Sequence, residues 1–282
     1  MTTTPTSVSK ALRVRPGIVD LSTRDPRATS AFDGGKREAR EAMKELGGTV
    51  TELQERLYAE SRGGGSRSIL LVLQGMDTSG KGGIVKHSLG MLDPQGVHLY
   101  SFKAPTKEEL AHDFLWRIEK QAPAPGFVGI FDRSHYEDVL IVRVHGLAST
   151  DEVERRYGAI NEFEKKLVHN GTTVIKCMLH ISYEKQRERL LARLDDPTKR
   201  WKYNPGDVDE RARWKDYIQA YEIALGRCST DVAPWYVVPS DRKWYRNWAI
   251  TALLHEHLAV LDPQYPKGDF DVEKEKARIA VT

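Results

Sequence analysis

The feature that most constrains this chain is an alternation, starting after Gly63-Gly64-Gly65, of short apolar runs with longer amphipathic stretches. SILLVLQ (Ser68 to Gln74), VHLYSFK (Val97 to Lys103), VGIF (Val128 to Phe131), TTVIKCMLHI (Thr172 to Ile181) and WYVVP (Trp235 to Pro239) read as strands. The intervening stretches predict helices over Gly80 to Asp93, Lys107 to Gln121, about His135 to Val144 and Asp151 to His169, with a closing helix over Lys243 to Leu261. Buried strands separated by helices demand right-handed crossovers, so the expected class is α/β, a mainly parallel sheet covered on both faces in three layers. Upstream, Ala39, Ala42, Met43, Leu46, Val50, Leu53 and Leu57 keep helical spacing, interrupted at Gly47 and Gly48, and predict one or two packing helices. Residues 1 to 35, rich in Thr, Ser, Arg and Gly, are expected to form a flexible, poorly packed arm.

Composition narrows the function classes. Forty-three basic against 40 acidic side chains leave a net charge of +3, so any anion site has to come from a local cluster. The two cysteines, Cys177 and Cys228, form no C-x-x-C pair, which argues against a zinc ribbon or a disulfide scaffold and fits a reducing compartment, the cytoplasm by default. The longest aliphatic run, Ile69 to Leu73, is too short to cross a bilayer, and no membrane partner is expected.

Between the first strand and its helix lies Q-G-M-D-T-S-G-K-G-G, which holds G-x-x-x-x-G-K as Gly75, Gly80 and Lys81, followed by Gly82 and Gly83. Strand before and helix after is the context that makes this pattern a phosphate loop: glycines let the backbone wrap a phosphate, amides converge at the helix N-terminus, and the lysine adds a point charge. Gly82 stands where such loops place a Ser or Thr for magnesium. Asp77, inside the loop, is then the nearest candidate to hold the metal, since a carboxylate facing a polyanion requires a cation between them; its alternative role is to cap the loop's own amides.

Asp132 directly follows the third strand, at the carboxyl edge where α/β sheets bind ligands. It is positioned to reach magnesium or to accept a hydrogen bond from an attacking group, and Arg133 beside it offers a planar fork for phosphate. Glu137 and Asp138 follow within about one helical turn, as further site carboxylates or as acids that complement a helix dipole. We take Asp77, Lys81, Asp132, Arg133 and Glu137 as candidate catalytic residues and Asp77, Asp132 and Asp138 as candidate metal ligands.

Lys185 to Lys202 carries seven basic residues against three acids. Lys185, Arg189 and Arg193 recur every four residues on one face, Leu190, Leu191 and Leu194 form another, and Asp195-Asp196-Pro197 breaks the helix before Lys199, Arg200 and Lys202. Beside a phosphate loop, this reads as a helical lid over about residues 183–206 whose Arg189, Arg193, Lys199, Arg200 and Lys202 close on phosphates. Duplex nucleic acid is a weaker alternative for the same stripe.

G-M-D-T-S-G-K-G-G, F-D-R-S-H-Y-E-D-V, D-D-P-T-K-R-W-K and Ala233-Pro234-Trp235-Tyr236-Val237-Val238 together resemble, in order and spacing, the polyphosphate kinase 2 family, over about Arg37 to Pro263. The resemblance implies a P-loop kinase fold with a lid, in one domain over residues 36–263 followed by a tail over 264–282. It also implies phosphoryl transfer between inorganic polyphosphate and AMP, ADP or ATP with Mg2+, or Mn2+ in its place. The spare apolar spacing of Lys36 to Ser61 and of the closing helix would suit a subunit interface in a homo-oligomer, or equally a domain core. Asp77 and Asp132 would serve the metal and acceptor, Lys81 and Arg133 the phosphates, and Arg189 and Arg193 the lid. S-H-Y-E-D-V, with Glu137 where diphosphate-preferring members often have Asn, looks more like the class III members that take AMP and ADP; Asp132 stands where some of those relatives carry Asn. An ATP-dependent kinase shares the loop and lid, and Gly82 is the sequence argument against it. A nucleotide-binding switch finds no N-K-x-D motif to support it.

Overall fold

A computed structural model describes residues 7–282. In chain order its helices are α1 (Val8–Leu12), α2 (Lys36–Arg62), α3 (Lys81–His87), α4 (Trp116–Glu119), α5 (Ile141–Val144), α6 (Thr150–His169), α7 (Tyr183–Asp195), α8 (Gly206–Ala212), α9 (Trp214–Cys228), α10 (Lys243–Leu261) and α11 (Val272–Ala280). The strands are β1 (Ser68–Gln74), β2 (Val97–Ser101), β3 (Val128–Asp132), β4 (Thr172–His180) and β5 (Trp235–Pro239), all parallel in the order β2-β3-β1-β4-β5. The expected α/β class is therefore the observed one.

Period-two alternation divides the core between the two faces. Leu70, Val72, Phe131, Val174 and Met178 pack with α6 and α9, while Ile69, Leu71, Leu73, Ile130, Ile175 and Leu179 pack with α2 and α10. Lys176 interrupts the first set with its side chain wholly buried. Its ammonium donates to Glu164 of α6 at 2.5 Å, to Tyr136 Oη at 2.9 Å and to the Cys228 carbonyl at 2.6 Å. All three of its donors are thus met, which is the condition on which a buried charge is tolerated.

Five local expectations are corrected. The glycines at 47 and 48 do not break α2, which runs unbroken from Lys36 to Arg62. Gly47 is buried there, and a Cβ in its place would lie 3.0 Å from Met91 Sδ, so the glycine serves close packing rather than a turn. Lys107 to Gln121 is not one helix but a 3-10 turn at Glu109–Ala111 followed by α4. Thr106 and Glu109 cap each other's backbone amides, and the Asp113 carboxylate accepts from Leu115 N at 3.0 Å, so two local caps outcompete continuity. The helices expected at Gly80 to Asp93 and His135 to Val144 are likewise shorter: α3 ends at His87, and the second divides into a 3-10 turn, His135–Asp138, and α5. Finally, the segment after Ser7 is packed. Val8, Leu12, Val14 and Leu21 are buried, and Val14 N donates to Trp235 O at 2.8 Å, covering the outer edge of β5. The arm's first six residues lie outside the described residues.

The topology gathers the sequence's chemistry at one edge. Asp132 lies in register with Leu73, one residue before β1 gives way to the loop, and Ser101 of β2 is level with it. On the other side Ser240 N donates to His180 O, and the Asp241 carboxylate accepts from Ser182 N, tying the starts of α7 and α10 together.

Candidate active site

The phosphate loop leaves β1 with Thr78 at φ 62° and enters α3 through Gly80 at φ 114°. Arg133, leaving β3, has φ 65°, and its amide donates to Leu73 O at 3.1 Å. Left-handed backbone at a threonine and an arginine costs on the order of 1–2 kcal/mol each, and both stand where the chain turns out of the sheet into the site. The loop is braced from behind by buried guanidinium groups. Arg189 of α7 donates to Thr78 O and Ser79 O at 2.8 and 3.1 Å, and to Ser240 O and Asp241 O at 2.6 and 3.0 Å. Arg246 of α10 donates to the same Ser79 O at 3.0 Å. In front, Lys81 Nζ donates to Gly75 O at 2.8 Å, across the mouth of the loop.

This edge opens into a cleft of about 1440 Å3 lined by eight lysines and six arginines against four carboxylates, Asp77, Asp132, Glu188 and Asp241. In a protein of net charge +3, this one surface gathers fourteen of the 43 basic side chains but four of the 40 acidic ones, which gives it a strong local positive potential. Asp77 and Arg133 face each other at 3.6 Å and also line a smaller pocket, about 110 Å3, with Glu137, Glu210, Tyr217 and Tyr221. Burial raises the Glu137 carboxyl above the usual glutamate range despite the opposing pull of Arg133 and Lys81.

The structure thus brings together Gly80, Lys81, Gly82, Gly83, Asp77, Asp132, Arg133, Arg193, Lys199 and Lys202 around one cleft, with Gly75 and Glu137 on the adjoining pocket. Three expected roles are altered. Arg189 reaches the cleft wall, but its terminal nitrogens all serve backbone carbonyls, so it positions the loop. Arg200 Nε donates to Leu194 O, and its side chain stands outside the lining. Asp138 lies apart from both cavities, between Arg117 at 3.8 Å and Arg156 at 3.3 Å, where it ties the Glu137 turn to Arg117 and hence to Lys103 O. It is not grouped with Asp77 and Asp132.

Sequence reasoning missed Lys36 and Arg40 of α2, Lys103 after β2, and Arg242, Lys243 and Arg246 around the start of α10, all of them in the cleft wall. The last three were within reach: S-D-R-K-W-Y-R follows β5 at the same carboxyl edge that identified Asp132.

Residues 34–266 match the family model described as polyphosphate kinase 2. The chain belongs to the polyphosphate kinase 2 family. A curated member from Meiothermus ruber, named AMP/ADP-polyphosphate phosphotransferase, is 47% identical over 94% of this chain and 98% of its own length. Another from Rhodopseudomonas palustris, named ADP-polyphosphate phosphotransferase, is 38% identical over 92% of each. The crystal structure of polyphosphate kinase 2 from Arthrobacter aurescens TC1 superposes with a TM-score of 0.96 at 51% identity, covering 100% of this chain and 99% of that one. Among the described residues no helix is long and apolar enough to cross a membrane.

Proposed function

We propose that this chain transfers the terminal phosphoryl group of inorganic polyphosphate to AMP and ADP, reversibly. The observation that carries this reading is the cleft itself: a phosphate loop and fourteen cations face one space with four carboxylates, Asp77 and Asp132 among them. Such a surface suits a chain of phosphates far longer than one nucleotide supplies. The relatives' names, which pair polyphosphate with AMP and ADP, support the same substrates.

In this mechanism the loop amides at Gly80 to Gly83 and Lys81 hold the donor's terminal phosphates. Arg133 reaches the transferring group from the Asp77 side, and the lid residues Arg193, Lys199 and Lys202 neutralise the remaining charge and exclude water. Asp132 accepts a hydrogen bond from the attacking nucleotide and orients its phosphate oxygen. Glu137, at the adjoining pocket, shapes the acceptor side. Positioning and electrostatics supply the catalysis, and no covalent enzyme intermediate is required. Magnesium fits this donor set: the ion takes one or two carboxylates and completes its shell with phosphate and water, so Asp77 and Asp132 would hold it, and it would offset charge between the two polyanions.

Incubating purified protein with polyphosphate, Mg2+ and AMP or ADP, with no ATP supplied, is expected to yield ADP or ATP. Product only when ATP is the donor would replace this reading with an ATP-dependent kinase.

A further inference from the structure

Glu164 of α6 is wholly buried, yet it accepts from three donors: Lys176 Nζ at 2.5 Å, Tyr136 Oη at 2.8 Å and His135 Nε2 at 3.2 Å. Two of these donors belong to the residues that directly precede Glu137 in the 3-10 turn His135–Asp138. Burial lowers the His135 pKa, so its ring is neutral at pH 7 and gives its one proton to the carboxylate through Nε2, while Nδ1 has no partner. Tyr136 Oη closes a circuit by accepting from Lys176 at 2.9 Å.

The front of the turn is held as closely. Ser134 Oγ accepts from Tyr136 N at 3.2 Å and from Gln74 Nε2 at 3.1 Å, and Ser134 O accepts from Glu137 N at 3.0 Å. Arg133 just before it has φ 65°, a conformation that persists only where the surroundings over-determine it. Glu137 itself points to the small pocket with Asp77, Arg133, Tyr217 and Tyr221, which none of Glu164, Lys176, His135 and Tyr136 lines. Stability alone does not call for a buried ion pair, because well-packed apolar residues of the same volume often serve as well. They cannot, however, direct hydrogen bonds at two chosen residues of a turn. We propose that Glu164, held in place by Lys176, is a positioning residue for acceptor recognition: through His135 and Tyr136 it fixes the turn that presents Glu137 to the nucleotide. This rests on reading the small pocket as the acceptor side of a polyphosphate-dependent nucleotide kinase.

The test is a double-mutant cycle read as kcat/KM for AMP and for ADP, with KM for polyphosphate measured alongside. Tyr136→Phe keeps the ring in the core and removes only the hydroxyl, so Glu164 retains Lys176. It is expected to lower kcat/KM for AMP about 5- to 20-fold and that for ADP less than about threefold, with KM for polyphosphate within about twofold of wild type. In a Glu137→Asn background the same change is expected to cost less than about twofold, because the group it positions is gone. His135→Phe, which deletes the other bond from the turn to Glu164, is expected to repeat the pattern and decides the matter if Tyr136→Phe does not fold. Partial unfolding would strike AMP and ADP alike. Equal losses for the two acceptors, or losses as large without Glu137 as with it, overturn the assignment and leave the cluster a structural one. If Glu137→Asn alone spares AMP, the positioning role falls and the kinase reading stands; if the wild-type protein makes no product from polyphosphate, both fall.

Discussion

Lys81 illustrates how a single residue can carry chemistry without carrying the fold. Its side chain is half-buried, and its hydrogen bond goes to Gly75 O of its own loop, so truncation opens no cavity. Lys81→Ala is expected to lower kcat on the order of 10²- to 10³-fold while circular dichroism and melting temperature stay close to wild type. A melting temperature lowered by 10 °C or so would make the lysine structural instead. Glu137 is the residue expected to set acceptor choice, because it lines the pocket that shares Asp77 and Arg133 with the donor cleft. Glu137→Asn is expected to cut kcat/KM with AMP more than with ADP; equal losses would remove it from acceptor recognition. Asp138, by contrast, answers to pH. Burial raises its carboxyl to about 6 although Arg117 and Arg156 pull the other way. A carboxyl whose folded pKa exceeds its unfolded value of about 3.9 contributes stability that is complete below pH 4 and lost as pH rises through about 6. Relative to Asp138→Asn, which does not titrate, the wild-type protein is expected to lose about 2 kcal/mol of unfolding free energy between pH 4 and 7. Parallel pH profiles of the two proteins would contradict this.

At the scale of elements, what the sequence showed and what it hid separate by mechanism. Strands β1, β3, β4 and β5 were legible because strands buried on both faces read as unbroken apolar runs, and α6 and α10 because long periodic stretches outweigh local interruptions. The stretch from Thr106 to Glu119 was not, since its helical pattern is overridden by the caps at Thr106, Glu109 and Asp113, whose hydrogen bonds are individually as good as helical ones. Arg189 shows the limit at the site: helical spacing placed it on the cationic face, but only the fold reveals that loop carbonyls take its donors. Lys176 was read simply as part of a strand, and nothing in the sequence pairs it with Glu164, twelve residues earlier on α6. The pair links sheet to helix behind the turn that carries Glu137. Its carboxylate stays ionised: burial alone would raise Glu164, and Lys176 and His135 outweigh it. Lys176→Met leaves that charge buried and unpaired, so unfolding free energy in urea is expected to fall by about 3–5 kcal/mol. A change below about 1 kcal/mol would show that the pair contributes little.

The whole molecule is nearly neutral, and that neutrality is an average over unlike surfaces. Its carboxylates lie mostly outside the cleft, in pairs such as Glu60 with Arg67 and Glu152 with Arg155 and Arg156, where each cancels a nearby cation. The cleft cations are less fully matched: Arg246, Lys243, Lys86 and Lys103 share a wall that offers four carboxylates to fourteen bases. Binding a long polyanion there exchanges many mobile counterions, whereas a nucleotide carrying one or two phosphates exchanges few. Salt should therefore act on the two substrates unequally. Raising KCl from about 50 to 500 mM is expected to increase KM for long-chain polyphosphate about tenfold or more and KM for ADP less than about threefold. Lys243→Met, which removes one cation from the wall, should flatten the polyphosphate dependence without changing that of ADP. Equal salt dependence for both substrates would mean that the cleft recognises only the terminal phosphates at the loop, and that the cations from α2 to the lid act on something other than the length of the chain.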